Sequence, residues 1–449
     1  DPPYNTGNEN WVYNDKVNSP KIKKWLGKVV GNQTADLCRH DKWLCMMYPR
    51  LKLLRDLLSE DGVIFVSLDD NEQSNLRLMM DEIFGEENFL ANFVWNSTKS
   101  ITNPAMVSIS HTINTAYIKN RKAFELQKST FKLPAILSGF ANPDNDPRGD
   151  WKADPFEAGG ERPNQKYPIK NPITGEVFYP AKGNCWKNDL KKFEQLLADN
   201  RIVFGKNGKG RPQRKRFIWE AEERGLTPNT WWDDVGTTTN GTMSLKELFR
   251  EKVFNNPKPT SLIKRFLQLG TNSDSIVLDS FGGSGTTGHA VLDLNKEDGG
   301  NRKFILIELE DHVAKDITAE RIKRAVKKYD YKDGFEYCEL SKPLFNEKGH
   351  IEEECDFDQF ATYIYFTETQ TNIDRAKVDK NFIGELNETE YYLIYKEKGK
   401  NILDKGFLKK LRDTKSKKVI YADNCTVDEK ILDEYNIVFK QIPYEVKVY

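Results

Sequence analysis

Two stretches of this chain place reactive residue types at spacings that could do chemistry. Asp1-Pro2-Pro3-Tyr4 joins a carboxylate and an aromatic ring through two prolines, whose fixed φ sets the turn in advance. The Asp1 carboxylate and the Pro2 carbonyl are then positioned acceptors for the hydrogens of a planar amino group, and Tyr4 offers a flat face to the ring that carries it. Far along the chain, the apolar run Ile276-Val277-Leu278 enters Asp279-Ser280-Phe281-Gly282-Gly283-Ser284-Gly285, which opens a helix. Glycines there let a ligand approach the backbone without Cβ clashes, outside the carboxyl end of a strand where α/β sheets bind ligands. Glu308 closes the next apolar run 23 positions after Gly285, about the spacing at which a carboxylate takes both ribose hydroxyls. That combination is the architecture of an adenosyl-cofactor site.

The pattern Phe281-x-Gly283-x-Gly285 differs from the GxGxxG of dinucleotide enzymes and resembles the FxGxG cofactor motif of amino-methyltransferases; Ser280 and Gly282 are departures from that family's usual residues. Asp1-Pro2-Pro3-Tyr4 resembles the catalytic DPPY of the same enzymes. The resemblance implies S-adenosylmethionine bound by Asp279, Phe281, Gly283, Gly285 and Glu308. It also places Lys258, in Lys258-Pro259, on the carboxylate at the cofactor's methionine end, an arrangement that charge pairing favours. The methyl acceptor it implies is N6 of an adenine flipped out of DNA. Asp at position 1 resembles the adenine enzymes more than the cytosine-N4 group, which stays open.

The catalytic motif precedes the cofactor motif, as in the β-class arrangement. The blocks Trp43 to Leu58, Gly62 to Glu72, Met80 to Phe89 and Phe254 to Pro259 look like those of the modification subunits of Type III restriction-modification systems, over residues 1 to about 330. This family resemblance implies double-stranded DNA as substrate, a homodimer, and association with a helicase-nuclease restriction subunit. Two other readings stay open: a recognition module that keeps the fold without methylating, and a solitary methyltransferase.

These motifs need elements to hold them. Apolar positions Trp43, Met47, Leu51, Leu54 and Leu58 recur three or four apart and predict a helix; Val63 to Leu68 reads as a strand after the Asp61-Gly62 turn. Asp69-Asp70-Asn71 is placed to cap a helix carrying Leu76, Met79, Met80 and Ile83, which Gly85 ends. Helix at 259–269, strand at 275–279, helix at 285–294 and strand at 303–308 follow, and the alternation predicts parallel strands. Residues 121–235, rich in Pro, Gly and Asn, read as irregular, and beyond 330 a small βαβαβ pattern appears. The expected fold is α/β: a doubly wound Rossmann-like methyltransferase core from 1–120 and 236–330, an inserted target-recognition domain at 121–235, and a small C-terminal α/β domain at 331–449, the expected place for subunit contacts.

At 449 residues the chain is long enough for two or three cores. Its net charge is zero, 68 basic against 68 acidic residues, yet Arg162 to Arg216 holds 14 Lys and Arg against 4 Asp and Glu. The glycine-interleaved run Lys206, Lys209, Arg211, Arg214, Lys215 and Arg216 is the expected phosphate-tracking loop. Six scattered cysteines and five histidines lack ligand spacing, so no metal is expected and reduced thiols are the default. With no apolar run of membrane-spanning length, a cytoplasmic protein is expected. Asp1 opens a motif that needs a supporting strand before it, so the chain is expected to be a fragment.

Overall fold

Helix α1 (Ala35–Leu57) turns Trp43, Met47 and Leu51 into the interior, as the spacing predicts. Strand β1 (Val63–Leu68) and helix α2 (Gln73–Phe84) follow, and Gly85, at φ 90°, ends α2. Leu76, Met79 and Met80 of α2 join Trp43, Met46, Met47, Leu51 and Tyr117 in one core. Burying each such side chain is worth about 1.5 to 3 kcal/mol, enough to fix the rotation of both helices. The expected cap is displaced: the residue flanking α2 is Glu72, and no side chain caps the helix. Asp69 instead accepts from the Asn71 backbone at 3.0 Å.

The computed structural model describes residues 1–6, 35–126, 131–205, 207–340, 344–345, 351–352, 355–396, 400–412 and 414–443. They form two compact units, Asp1–Glu336 and Tyr337–Tyr449.

In the first unit, β2 (Phe89–Asn96) and β3 (His111–Ile118) make a hairpin, and β3 also pairs with β1. Both pairings are antiparallel, so the all-parallel expectation fails for this stretch. A hairpin loop reverses the chain where a helical crossover would have kept its direction. The next segment builds its own small sheet, in the order β4 (Trp151–Pro155), β6 (Gln213–Phe217), β5 (Ile202–Val203), antiparallel throughout. Helix α3 (Leu190–Ala198) packs Phe193 and Leu196 with Phe156, Trp186 and Phe204 in a separate core.

The chain then returns to the first sheet, where β7 (Trp231–Trp232) lies parallel to β2. Helix α4 (Thr238–Phe249) leads to α5 (Thr260–Gly270). Phe266 of α5 stacks on Phe65 of β1 with ring centres 4.6 Å apart. Its Leu267 packs with Ala290, Val291 and Leu294 of α6 (Thr286–Asp298). Helix α5 thereby ties the first sheet to a parallel β8-α6-β9 unit, in which β8 (Ile276–Asp279) pairs with β9 (Lys303–Leu306). The register sets Asp279 opposite Leu306, so Glu308 emerges two residues on, beside the glycine turn. A π-helical stretch, Ala314–Ala319, leads into α7 (Glu320–Tyr329).

The second unit packs helix α8 (Phe357–Thr369) against a four-stranded sheet. Its strands run in the order β10 (Phe382–Leu386), β11 (Thr389–Leu393), β12 (Lys417–Ala422), β13 (Ile437–Gln441). The last three are parallel, as the βαβαβ pattern predicts, while β10 joins the edge antiparallel. Among the described residues no helix is long and apolar enough to cross a membrane.

Candidate active site

The turn Asp1 to Tyr4 is held from behind by α1 and by the segment leading into α2. The Trp43 indole donates to the Pro3 carbonyl oxygen at 2.8 Å. Asn5, fully buried at φ 58°, donates its amide to the Glu72 carboxylate. Glu72 is itself fully buried and is engaged by the His40 imidazole at 2.6 Å and the Asn75 amide at 2.7 Å. A buried carboxylate is costly unless its oxygens are paired, and here three side chains pair them. Glu72 thus spends its carboxylate on the turn instead of capping α2. None of Trp43, Glu72, His40 or Asn5 was expected at the site from sequence.

The glycine turn is equally braced. Asp279 Oδ1 accepts from the Phe281 backbone at 3.1 Å and Oδ2 from the Thr287 hydroxyl at 2.5 Å, locking the strand end to α6. The Gly283 N–H donates to Glu308 at 2.8 Å, and the other Glu308 oxygen accepts from Leu309 and Glu310 backbone N–H groups. Gly283 and Gly285 sit at φ 50° and 74°, the left-handed region that favours glycine. A Cβ on Gly285 would lie 3.0 Å from the Thr318 carbonyl oxygen. Bulk at Gly285 therefore strikes the π-helical stretch behind the turn, and not a ligand in front of it. The Thr318 hydroxyl donates to the Gly283 carbonyl. Arg321, also unforeseen, is fully buried and donates to Ser284 Oγ at 3.0 Å and Thr286 Oγ1 at 2.6 Å.

The two turns meet. Tyr4 and Phe281 both pack against the core that contains Trp43. A cavity of about 230 Å³ is lined by Asp1, Pro2 and Pro3 together with Lys258, Asp279, Phe281, Gly283 and Glu308. Of the residues expected at a cofactor, Gly285 alone is off this lining. The cavity has what an adenosyl ligand needs: a glycine at the wall, a carboxylate at a strand end and an aromatic ring.

Lys258 closes the far side. Its Nζ lies 2.9 Å from both Asp1 carboxylate oxygens and 2.7 Å from the Tyr4 hydroxyl, with the Tyr4 ring centre at 5.0 Å. Burial pulls its pKa down to about 7, against the opposing pull of Asp279 and Asp69. A second cavity, of about 470 Å³, begins there, lined by Tyr4, Trp95, Thr238, Thr242, Asn256 and Lys258 among others. Asn256 and Lys258 line both cavities.

A family model described as DNA methylase matches residues 1–320. The chain belongs to the DNA methylase family. Relatives of this chain include the Type III restriction-modification enzyme StyLTI Mod subunit of Salmonella typhimurium, 36% identical over 72% of this chain and 50% of that one. The EcoPI Mod subunit of Escherichia phage P1 is 31% identical over 73% of this chain and 58% of that one. The Type II methyltransferase M.KpnI of Klebsiella pneumoniae is 30% identical over 70% and 75%. The chain spans about half the length of the first of these relatives.

The basic run of this chain is largely tied up internally. Arg211 pairs with Glu157 at 2.7 Å, Arg214 with Glu220 at 3.0 Å and Arg216 with Asp154 at 3.3 Å. Lys209 is exposed, and Lys206 lies outside the described residues. Lys215 corrects the expectation of a phosphate contact: its side chain is fully buried and pairs with Asp144 and with Asp146 at 3.0 Å. On β6 the inward pleat positions fall to Lys215 and Phe217, so the pleat alternation overrides the local charge pattern.

Proposed function

We propose that this chain transfers a methyl group from S-adenosylmethionine to N6 of an adenine extruded from double-stranded DNA, as the modification and recognition part of a Type III restriction-modification system. The observation that carries the reading is the single cavity lined by both the DPPY turn and the FxGxG turn, whose motifs lie 280 positions apart. Bound there, S-adenosylmethionine would supply an electrophilic methyl group. Asp279, Phe281, Gly283 and Glu308 would hold its adenosyl half, Glu308 with an orientation preset by three backbone N–H groups.

The chain's own task is to make N6 nucleophilic. Its lone pair is delocalised into the purine ring, and acceptors that pull on the amino hydrogens return it to nitrogen. Asp1 and the Pro2 carbonyl are those acceptors, and their preorganisation removes reorganisation from the barrier. Tyr4 stacks on the extruded base, an interaction worth about 1 to 3 kcal/mol.

Residues 1–120 and 236–330 serve in this reading as the two halves of the catalytic core, 121–235 as the recognition domain and 331–449 as the region for subunit contacts. Lys209, Arg211, Arg214 and Arg216 are the proposed DNA contacts, with Lys206 beside them in sequence. The partners are a second copy of the chain and a helicase-nuclease restriction subunit, and the setting is the cytoplasm; the relatives named as Type III Mod subunits support these assignments.

The test is transfer of labelled methyl from S-adenosylmethionine to DNA, followed by nucleoside analysis. N6-methyladenine from the wild type, with turnover lost and DNA affinity kept in Asp1→Ala, is the expected result. Absence of transfer in the wild type, or full activity of the variant, would overturn the reading.

A further inference from the structure

Methyl transfer to N6, the activity proposed for this chain and the premise of this inference, leaves a proton to place. A carbon–nitrogen bond forms at N6 as the carbon–sulfur bond breaks with its electron pair on sulfur. N6 must then lose one hydrogen so that the N–H pair rejoins the aromatic system. Asp1 is the neighbouring acceptor, but a carboxylate that stays protonated cannot serve the next turnover. Behind it, within 2.9 Å of both oxygens, lies Lys258. Its side chain is only 12% exposed.

We propose that Lys258 is the proton acceptor of the transfer, acting through Asp1. It starts as the neutral amine, takes from the Asp1 carboxyl the hydrogen that N6 gave up, and ends as the ammonium. Three features of the site support this.

A neutral amine leaves the Asp1 oxygens electron-rich toward the amino group of the base, whereas an ammonium donating to them would blunt their pull. The count of charge also holds steady: the positive charge that arrives with the methyl donor remains in the cavity as the proton on Lys258, so no additional buried charge is created. And because Lys258 also lines the second cavity, the proton has a way to water once the product has left.

The titratable groups facing the amine are few. Asp1 and Tyr4 contact it directly from the catalytic turn. Asp279, at the end of β8, and Asp69, after β1, raise its affinity for the proton, while burial lowers it to about 7.

The experiment has three arms. Competitive acetylation of the ligand-free protein with acetic anhydride, read by mass spectrometry, reports the Lys258 amine; half-maximal Lys258 reactivity near neutral pH is expected, and a midpoint above pH 9 overturns the proposal. Single-turnover methylation by the wild type should rise about tenfold per pH unit on the acid side and then level off. Lys258→Arg, which keeps the charge and the donors but stays protonated, should lose about a hundredfold at pH 8, with S-adenosylmethionine affinity by equilibrium dialysis within about twofold of wild type.

An arginine variant with wild-type rate, or one whose cofactor affinity collapses while the acid limb persists, overturns the proposal alone and returns Lys258 to the role of holding the cofactor's carboxylate. A wild type that transfers no methyl to DNA overturns the underlying function and this inference with it.

Discussion

The Trp43 indole nitrogen donates to the Pro3 carbonyl oxygen at 2.8 Å across 40 positions of sequence. Helix α1 thereby sets the pose of the catalytic turn, because the next carbonyl back, that of Pro2, is a proposed acceptor for the substrate amino group. Trp43→Phe keeps the packing and removes the donor. Losing a neutral hydrogen bond costs about 1 kcal/mol. Turnover should fall about five- to tenfold with cofactor affinity unchanged, measured by single-turnover kinetics and equilibrium dialysis; an equal fall in cofactor affinity would mean that α1 supports the whole cavity and not the turn.

Glu308 meets the Gly283 N–H with one oxygen and two further backbone N–H groups with the other. In Glu308→Gln one oxygen becomes an NH2 that faces donors. The glycine turn should shift and cofactor affinity should weaken by roughly 1 to 3 kcal/mol, read by titration calorimetry. Cofactor-independent DNA binding should be unaffected.

Lys215 and its neighbours on β6 should separate stability from DNA binding. Lys215→Met removes the buried ammonium that joins Asp144 to Asp146 and leaves Asp146 to its pair with Arg148, so the thermal transition of the segment around β4 and β6 should drop. Replacing Lys209, Arg211 and Arg214 by alanine should leave that transition near its original place. It should also reduce the slope of log affinity against log salt by about two to three, at about 0.9 for each phosphate contact. The opposite assignment of effects would overturn this division.

His289 is buried and stacks on Tyr329. Burial, reinforced by Arg321, lowers its pKa to about 3. At pH values above about 6.5, the ordinary histidine value, both folded and unfolded chains hold the neutral ring. As the pH falls from there toward 3, the unfolded chain takes up a proton that the folded chain refuses, and stability declines. Between pH 7.5 and pH 5 the decline due to this residue should be about 2 kcal/mol. Urea denaturation at the two values should show that loss in the wild type and much less in His289→Gln.

What sequence could reveal was the set of residues whose chemistry is local. Asp1, Phe281, Gly283, Glu308 and Lys258 sit in motifs with their own turn signals, and one cavity collects them. The strands around them follow apolar periodicity to within a residue or two, from Val63–Leu68 to Ile437–Gln441, while α6 runs on to Asp298, four residues past its expected end. The braces were hidden, because Trp43, Glu72, Thr318 and Arg321 act at a distance in sequence and resemble ordinary core or surface residues until the fold places them. Glu72 follows the Asp69-Asp70-Asn71 cluster expected to cap α2 and stood out only as the end of the Gly62 to Glu72 block. Lys215 shows the same limit from the other side, a cation in a basic run that strand pleating turns inward. The antiparallel pairing of β2 with β3 was also illegible, since hydrophobic pattern gives a strand but not its direction.

Asp1 and Lys258 touch across 257 positions. At about 5 to 20 residues per second of synthesis, roughly 10 to 50 s separate the emergence of one from that of the other. Through that interval the nascent chain carries the DPPY turn with neither its lysine nor the glycine turn beyond it. The 151–217 segment, whose three-stranded sheet and core are internal to it, can fold meanwhile. A ribosome-bound chain can therefore acquire its basic segment well before it can bind the methyl donor, and a truncation anywhere before the glycine turn yields a protein without chemistry.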